Sequence, residues 1–368
     1  MYVILGSPDQ LVSELSAAAP PGPPPLWLLC VADSEGEALP AALAACRAAG
    51  LRVCGGIFPG LIHGTVVRHT GLVAFALPAE SRVTLADLGP DGVRWREAPP
   101  PVPTSGQASS LVILDCRAPG ITAFLDELFD HFGNKVTHAG GGAGYHDLRE
   151  APTIFTEEGI WSCAALQILT PKTMTVRLRH GWTRVSGPYV ASRTRGNIIR
   201  ELNWEPAAAF YRGQVEAQDP TLTGRPVYPD LNAVYPLSIG REGSEDVIRD
   251  PTGVTPEGDL RVLSDVSENS LLYLVHGDRD SLISAARQAV EECADLPGVD
   301  CCFISDCYSR ALKLGADFHL ELEAASRSLA AFTTTPPEGV LAMGEIASTG
   351  NRHLEFYNKT FVIAVTHR

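Results

Sequence analysis

Ile113-Leu114-Asp115-Cys116 begins the pattern that decides the fold of this chain. This apolar run ends in a cysteine, and a segment with helical periodicity, a run of glycines and a second apolar strand follow it. The same order of features occurs three times. The copies are marked by apolar runs at 27–30, 113–116 and 304–307, by glycine hinges at 55–56, 140–142 and 344–345, and by closing strands at 72–77, 164–169 and 360–365.

The repeated unit predicts an α/β fold (α+β layered) in which mixed β-sheets and helices are built from strand–helix–strand–hairpin units in two domains. The first predicted domain covers residues 1–215 and contains two units, at about 26–100 and 110–180. The second covers residues 216–368. The boundary lies at or just before 219–236, a proline-rich segment with little periodicity.

Composition restricts the classes of partner. The chain has 368 residues and a formal net charge of -14, which disfavours binding to nucleic acid or to an anionic membrane surface. No apolar stretch is long enough to span a membrane, and the first residues do not resemble a signal peptide, so a cytoplasmic location is expected. The nine cysteines are expected to be reduced and mostly buried.

The glycine run at 139–144 is the strongest local motif, and it contains Gly140, Gly141, Gly142 and Gly144. Glycines free the backbone for close approach, and exposed amides in such a segment bind a carboxylate or a phosphate. Close packing of backbone against backbone explains the same residues equally well. The sequence therefore leaves both a ligand contact and a structural role open.

Two further groups of polar residues are candidates for ligand binding. Cys307, Ser309 and Arg310 lie where a strand is predicted to lead into a helix, and an arginine there can hold a carboxylate in a bidentate manner. The alternative is that Asp306 or Ser309 caps the helix while Arg310 pairs with Glu345 or another structural acid. Glu345 and Asn358 lie in apolar surroundings and need partners, which either the protein or a ligand can supply.

Candidate metal or haem ligands are fewer, and no enzyme motif accompanies them. The candidates are His138, His146, His319, His353 and Cys307. Cys307 is also the one candidate nucleophile of a cysteine-dependent enzyme, although the sequence shows no base for it. A soft-metal site at Cys30, Cys116 and Cys307 is a further alternative. The absence of G-x-S-x-G, H-E-x-x-H and phosphate-binding motifs favours a protein that is not an enzyme.

Taken together, the motifs resemble those of the FIST family, with a FIST N-terminal domain followed by a FIST C domain. The similarity extends from about residue 25 to the C-terminus. At the glycine run the chain departs from the family pattern, because Tyr145 and His146 precede Asp147 where an acid is expected directly. The matching residues are the glycine run at 140–144, His180-Gly181-Trp182, Glu201-Leu202 with Pro206-Ala207 and Tyr211, Val247-Ile248-Arg249-Asp250-Pro251, Cys307 with Ser309 and Arg310, Gly344-Glu345, and Asn358-Lys359-Thr360.

The resemblance implies a sensory module of bacterial signal transduction that binds a small ligand of the amino acid or carboxylate class. Some relatives bind haem b, sense nitric oxide and regulate a histidine kinase, which makes haem b and a histidine kinase alternative partners. Because this chain shows no kinase, cyclase or methyl-accepting region, the resemblance implies either that it acts by binding a partner protein or that it has a role other than signalling.

Overall fold

Three β-sheets of the same design form the body of the protein, and a fourth sheet lies between the second and third repeats. The computed structural model describes residues 1–103, 108–294, 298–348 and 354–367. The predicted α/β class with mixed sheets is confirmed. The first repeat and its flanking elements are β1 Tyr2–Val3, α1 Pro8–Ala18, β2 Leu26–Ala32, α2 Leu39–Ala48, β3 Arg52–Phe58, β4 Gly60–His63, β5 Val66–Arg68, β6 Leu72–Leu77, β7 Arg82–Gly89 and β8 Gly92–Trp95.

The second and third repeats have the same order of elements, which confirms the predicted unit. The second comprises β9 Ala108–Asp115, α3 Ile121–Phe132, β10 Val136–Ala143, β11 Ile154–Thr156, β12 Gly159–Trp161, β13 Ala164–Thr170 and the following β14 Met174–Arg179. Between the second and third repeats lie β15 Thr183–Arg195, β16 Ile198–Leu202, β17 Glu205–Pro206, α4 Ala207–Gln218, α5 Asn232–Val234, β18 Leu237–Ile239, β19 Val247–Arg249, β20 Pro251–Val254, β21 Leu260–Val262, β22 Leu271–His276 and α6 Arg279–Glu291. The third repeat is β23 Val299–Cys307, α7 Tyr308–Leu314, α8 Phe318–Ala330, β24 Glu338–Ala342, β25 Glu345–Ser348, β26 Leu354–Tyr357 and β27 Phe361–His367.

The repeats exchange strands in a closed ring. Within each repeat the first strand pairs in parallel with the second and antiparallel with the closing strand, as β9 does with β10 and β13. The hairpin of each repeat, however, pairs in another repeat's sheet: β4–β5 joins β24, β11–β12 joins β3, and β25–β26 joins β10. On the opposite side, β1 joins β6, β7 joins β13 and β14 joins β27. None of the three sheets is therefore complete without a second part of the chain.

Each of these sheets is buried on both faces. The inner faces share one apolar core that includes Cys30, Ile113 and Phe303, while the outer faces carry α1 and α2, α3, or α6 and α8. Burial on both faces explains why the first strands are continuous apolar runs instead of alternating ones. In the described residues, no helix combines the length and the apolar character needed to cross a membrane.

The glycines of the repeat have a packing role that corrects two sequence expectations. A Cβ atom on Gly55, Gly140 or Gly339 would lie 1.8, 1.8 or 1.9 Å from a main-chain carbonyl oxygen of the neighbouring strand. The equivalent glycine of the third repeat is thus Gly339, and the expected equivalence of Gly344 was wrong: Gly344 lies in the bend between β24 and β25 with φ +99°. The glycines at 140–142 lie within strand β10, not in a turn, because they are needed where backbones pack face to face.

The three cysteines of the repeat are not structurally equivalent. The glycine contacts align Leu29, Val112 and Ile304, which supply those carbonyl oxygens. Cys30 follows the first by one residue, whereas Cys116 and Cys307 follow theirs by four and three. The expectation that Cys30, Cys116 and Cys307 occupy equivalent strand ends was therefore wrong.

The fourth sheet contains strands from both sides of the predicted domain boundary. Its order is β19-β18-β22-β15-β16-β21-β20, and β15 pairs with β22 although residue 215 lies between them in the chain. The division of the chain at 215 and 216 stays a prediction.

Candidate functional site

Five of the predicted ligand-binding residues meet in a buried polar cluster at the end of β23. Cys307, Ser309, Arg310, Glu345 and Asn358 come from three segments that the topology brings together. β23 leads directly into α7, while β25 and the β26–β27 turn supply the other two side chains. For this cluster we use the name "the β23 cluster"; its members are Asp306, Cys307, Ser309, Arg310, Glu321, Glu345, Asn358 and Lys359.

Arg310 is fully buried, and protein atoms satisfy its guanidinium group. Its Nη2 donates to Glu321 Oε2 at 2.6 Å and its Nη1 donates to the carbonyl oxygen of His180 at 2.6 Å. Asp306 Oδ1 lies 3.4 Å from Nε. This arrangement matches the structural alternative considered for Arg310, with Glu321 as the acid.

Two carboxyl groups of the β23 cluster are held in an environment that favours the protonated form. Burial raises the pKa of Asp306 well above 3.8, and the neighbouring Glu321 raises it further. Burial also raises the pKa of Glu345 well above its usual range, although the amide of Thr360 donates to Glu345 Oε2 at 3.1 Å and opposes the shift. The β23 cluster contains three carboxyl groups, those of Asp306, Glu321 and Glu345, and two basic side chains, those of Arg310 and Lys359.

Cys307 is a protonated thiol at neutral pH. Burial, followed by the adjacent Glu345, raises the pKa of Cys307 to about 12. Its Sγ lies 3.2 Å from Ser309 Oγ and accepts a hydrogen bond from the amide of Lys359 at 3.2 Å. These two contacts lower the pKa but do not offset burial, and a nucleophilic cysteine needs a pKa below its usual value, so the raised pKa does not support a cysteine-dependent enzyme.

We expect alkylation to show this difference in reactivity directly. With iodoacetamide at neutral pH, Cys163 should react first, because it is the exposed cysteine, whereas Cys307 should react only after unfolding. Mass spectrometry of tryptic peptides measures both. A Cys163→Ser variant is the control, since it should lose nearly all fast labelling. Fast labelling of Cys307 in the folded protein would contradict the assignment.

The glycine run lies against the β23 cluster, and protein atoms occupy the space beside its glycines. Gly141 is paired with Glu345, and a Cβ on Gly141 would lie 2.7 Å from Ser305 Oγ. The amide of Gly142 donates to the carbonyl oxygen of Gly344 at 2.8 Å. Gly144 faces Cys116 Sγ in the same way. The sequence thus correctly indicated segments that meet, while contact of these glycines with a ligand stays a prediction.

The candidate histidines lie apart from one another. His138 is buried against Phe132, and burial lowers its pKa to about 4. The Nδ1 atom of His146 lies 2.6 Å from Asp33 Oδ2, whereas His319 Nδ1 lies 2.8 Å from the carbonyl oxygen of Ala316. His353 lies outside the described residues. In the described part of the chain no three potential ligands form a metal-binding group.

The histidines also do not fit a haem pocket. His69 and His319 line an apolar groove with their Nδ1 atoms beside backbone carbonyl oxygens, which is the orientation of an axial ligand. Both side chains are exposed, however, and the groove is open to solvent. His138 is enclosed, but it is packed against the aromatic side chain of Phe132. A haem site needs an axial ligand inside an enclosing apolar pocket, and none of these three histidines supplies both.

The largest cleft that we describe lies at the N-terminus of α3, and we name it the α3 cleft. Its volume is about 940 Å³. One wall is the loop from Cys116 to Gly120, which connects the carboxyl end of β9 to α3, together with Ile121 and Thr122 at the start of α3. The opposite wall is formed by the fourth sheet and β26, with Arg241, Arg249, Ser264, Asp265 and Glu355 among its residues.

The α3 cleft combines positive groups with acceptors of hydrogen bonds. Gly120 precedes α3 with φ +80° and provides no side-chain cap, so the first amides of the helix are left for another acceptor. Arg249 is buried, and its Nε and Nη1 donate to backbone oxygens while Nη2 lies 3.9 Å from Glu355. Arg241 also pairs with Glu355. A carboxylate and a positively charged group can therefore both find a partner in this cleft.

Sequence reasoning did not select the residues of the α3 cleft as a site. Arg249 belongs to one of the motifs that carried the family resemblance, so a signal for it was present. Arg241, Ser264 and Asp265 had none, because only the pairing of β18, β21 and β22 in the fourth sheet brings them opposite α3.

The molecule is an α/β protein with a polar cleft between two packed parts of one chain, a place where ligand sites commonly lie. Comparison with family models specifies the family: a FIST N domain matches residues 26–205, and a FIST C domain matches residues 207–348. The chain belongs to the FIST family, whose domains are generally associated with sensing in signal transduction. The walls of the α3 cleft come from both matched regions. A search of curated proteins finds no significant match.

Proposed function

We propose that this protein is a sensory protein that binds a small ligand in the α3 cleft and acts in signal transduction through a partner protein. The observation that carries the proposal is the cleft of about 940 Å³, lined by the uncapped N-terminus of α3 on one side and by arginines on the other. Ligand sites of α/β proteins commonly lie at the carboxyl ends of parallel strands, and β9 ends at this cleft.

The proposed ligand belongs to the amino acid or carboxylate class. The amides of Ile121 and Thr122, together with Arg241 and Arg249, would bind its carboxylate. Asp265 and Glu355 are the acids available for an ammonium group. Ser264 also supports a polar ligand, because its Oγ is buried without a hydrogen-bond partner in the described residues.

We also propose a cytoplasmic location and a histidine kinase as the partner, and the support for these two points comes from the cysteines and from the family resemblance. All nine cysteines are free thiols, in keeping with a reducing compartment such as the cytoplasm. A histidine kinase is the partner that the family resemblance suggests. The haem and cysteine-enzyme alternatives have weaker support, because the histidines are exposed or enclosed without a pocket and Cys307 is a protonated thiol.

A ligand screen tests the proposal. Proteinogenic amino acids and small dicarboxylates are added to the purified protein and unfolding is followed by heating; a ligand at 100 times its Kd should stabilise the folded state by about 2.7 kcal/mol. Arg241→Gln should weaken binding by about tenfold in calorimetry, because it removes a charge-assisted hydrogen bond. Arg94→Gln is the control, since Arg94 is exposed on β8 and pairs with Asp87. The absence of any shift across the panel would contradict the proposal.

A further inference from the structure

Three equivalent sheet edges invite comparison, because each of the first three sheets ends in the outer strand of a hairpin from another repeat. These strands are β12, β26 and β5. A helix contacts each of these strands: α2 contacts β12, α3 contacts β26, and α8 contacts β5. Differences between the three edges therefore reflect what else covers them, since the design of the edge is shared.

The edge at β26 is covered by the chain itself. Leu354 and Phe356 are buried, and they pack with residues of α3 in one apolar cluster. The extended strand β19 lies against β26, where Arg249 Nη1 donates to the carbonyl oxygen of Phe356 at 3.2 Å. The edge at β26 is thus covered by an extended segment, β19, whose basic side chain Arg249 bonds to the edge strand.

The edge at β5 is open and apolar. A groove of about 660 Å³ separates β5 from α7 and α8. Phe318, Leu322 and Leu341 form its buried floor, whereas Val66 is 44% exposed and Leu312 is 62% exposed at its rim. Large apolar side chains exposed beside an unpaired strand are typical of a binding surface.

The charge at this edge indicates the character of the occupant. Arg68 is exposed at the end of β5, and its guanidinium lies 5.5 Å from the centre of the Tyr2 ring. No carboxylate of the described residues lies within 4 Å of it. His69 and His319 line the groove as well. In a protein with net charge -14, this basic rim favours an acidic group on the partner.

We propose that β5 and the adjoining groove bind an extended segment of a partner protein, which adds to the edge of the third sheet as a further strand. Apolar side chains at every second position of that segment would fill the groove, as alternate side chains do in strand addition. An acidic residue would lie opposite Arg68. The proposal does not depend on ligand binding in the α3 cleft, and it supplies a surface through which a sensor can contact its partner.

Selection from a phage-displayed library of short random peptides tests this assignment. Wild-type protein is the bait, and the recovered peptides are then measured against Leu312→Glu, with Val254→Glu on the fourth sheet as the matched control. Both side chains are exposed, so both variants should fold, which their thermal unfolding checks. We expect peptides with apolar residues at every second position and at least one acid. Binding should weaken about tenfold in Leu312→Glu only, and bound peptide should slow amide exchange at Val66–Arg68.

Several results would overturn the proposal. Recovery of no peptide, apolar residues at helical spacing, or equal binding to Leu312→Glu would each remove the strand-addition mode. A concentration-dependent dimer in sedimentation that Leu312→Glu abolishes would assign the groove to a second copy of the chain. A Soret band with added haem that His319→Ala removes would assign it to haem. Failure of the ligand screen at the α3 cleft would leave this proposal standing.

Discussion

Replacing Gly140 by alanine is expected to abolish the folded state. The new Cβ would lie 1.8 Å from the carbonyl oxygen of Val112 and 2.7 Å from its carbonyl carbon, and both are backbone atoms that cannot rotate away. Separation of β9 from β10 would open the second sheet at its centre. We expect a loss of stability beyond the 1–3 kcal/mol of ordinary overpacking, measured by chemical denaturation or seen as failure to obtain soluble protein.

The matched control for this substitution is Gly213→Ala. Gly213 lies within α4, and a Cβ there would meet nothing within 4 Å. Alanine is a better helix former than glycine by roughly 0.5–1 kcal/mol, so this variant should gain stability. The equivalent glycines at 55 and 339 should behave like Gly140. A Gly140→Ala protein that unfolds at the wild-type denaturant concentration would show that the sheet can adjust.

Replacing Arg310 by methionine is the second change with a large expected effect. The guanidinium is buried together with Glu321 and Asp306, so its loss leaves buried carboxyl groups without a cation. Removal of one partner of a buried ion pair typically costs about 3–5 kcal/mol. Denaturation at neutral pH measures the loss. Arg287→Met is the control, because Arg287 forms an exposed pair with Glu291 and should cost less than about 1 kcal/mol.

The pH dependence of the Arg310→Met variant identifies the cause. Burial already raises the pKa of Asp306 above 3.8 in the wild type, and removal of the cation, which opposes that shift, should raise the folded-state pKa of Asp306 further. A carboxyl with a raised pKa in the folded state binds more protons there than in the unfolded chain, so stability is lost as pH rises from the unfolded-state pKa of about 4 to the folded-state pKa. The defect of the variant should therefore shrink as pH falls toward about 4. Adding Glu321→Gln should restore part of the stability, and an equal defect at all pH values would point to lost packing instead.

The sequence predicted the repeated unit because each first strand is buried on both faces, which leaves an apolar run that is visible without any alignment. It could not predict the exchange of hairpins. Gly141 and Glu345 are paired in neighbouring strands, yet they lie in different repeats, and no local pattern records which distant strand a hairpin joins. The error over Gly344 has the same origin, because the glycine that packs against β23 is recognisable only from its contact with Ile304.

The sequence likewise predicted the residues of the β23 cluster but not the α3 cleft. The sequence predicted Cys307, Ser309 and Arg310 as one polar group and Glu345 and Asn358 as another, and the fold brings both into one cluster because buried polar groups need partners. The α3 cleft was missed because its walls come from distant parts of the chain, as Gly120 and Arg241 do, which lie 121 positions apart. The sequence also could not predict that the glycine run is buried. A glycine lets a ligand approach the backbone closely, and it lets a neighbouring strand do the same, so the residue type does not distinguish the two roles.

Because the repeats exchange strands, the second and third sheets cannot be completed until the third repeat has been synthesised. The second sheet needs β25, and the third needs β23, β24 and β27, all of which leave the ribosome after the first two repeats. Until then the first half of the chain exposes unpaired backbone along β10 and β4, the kind of edge that promotes association between nascent chains. Loss of β24 to β27 would thus leave both the second and the third sheet incomplete, whereas every strand of the first sheet would remain in the chain.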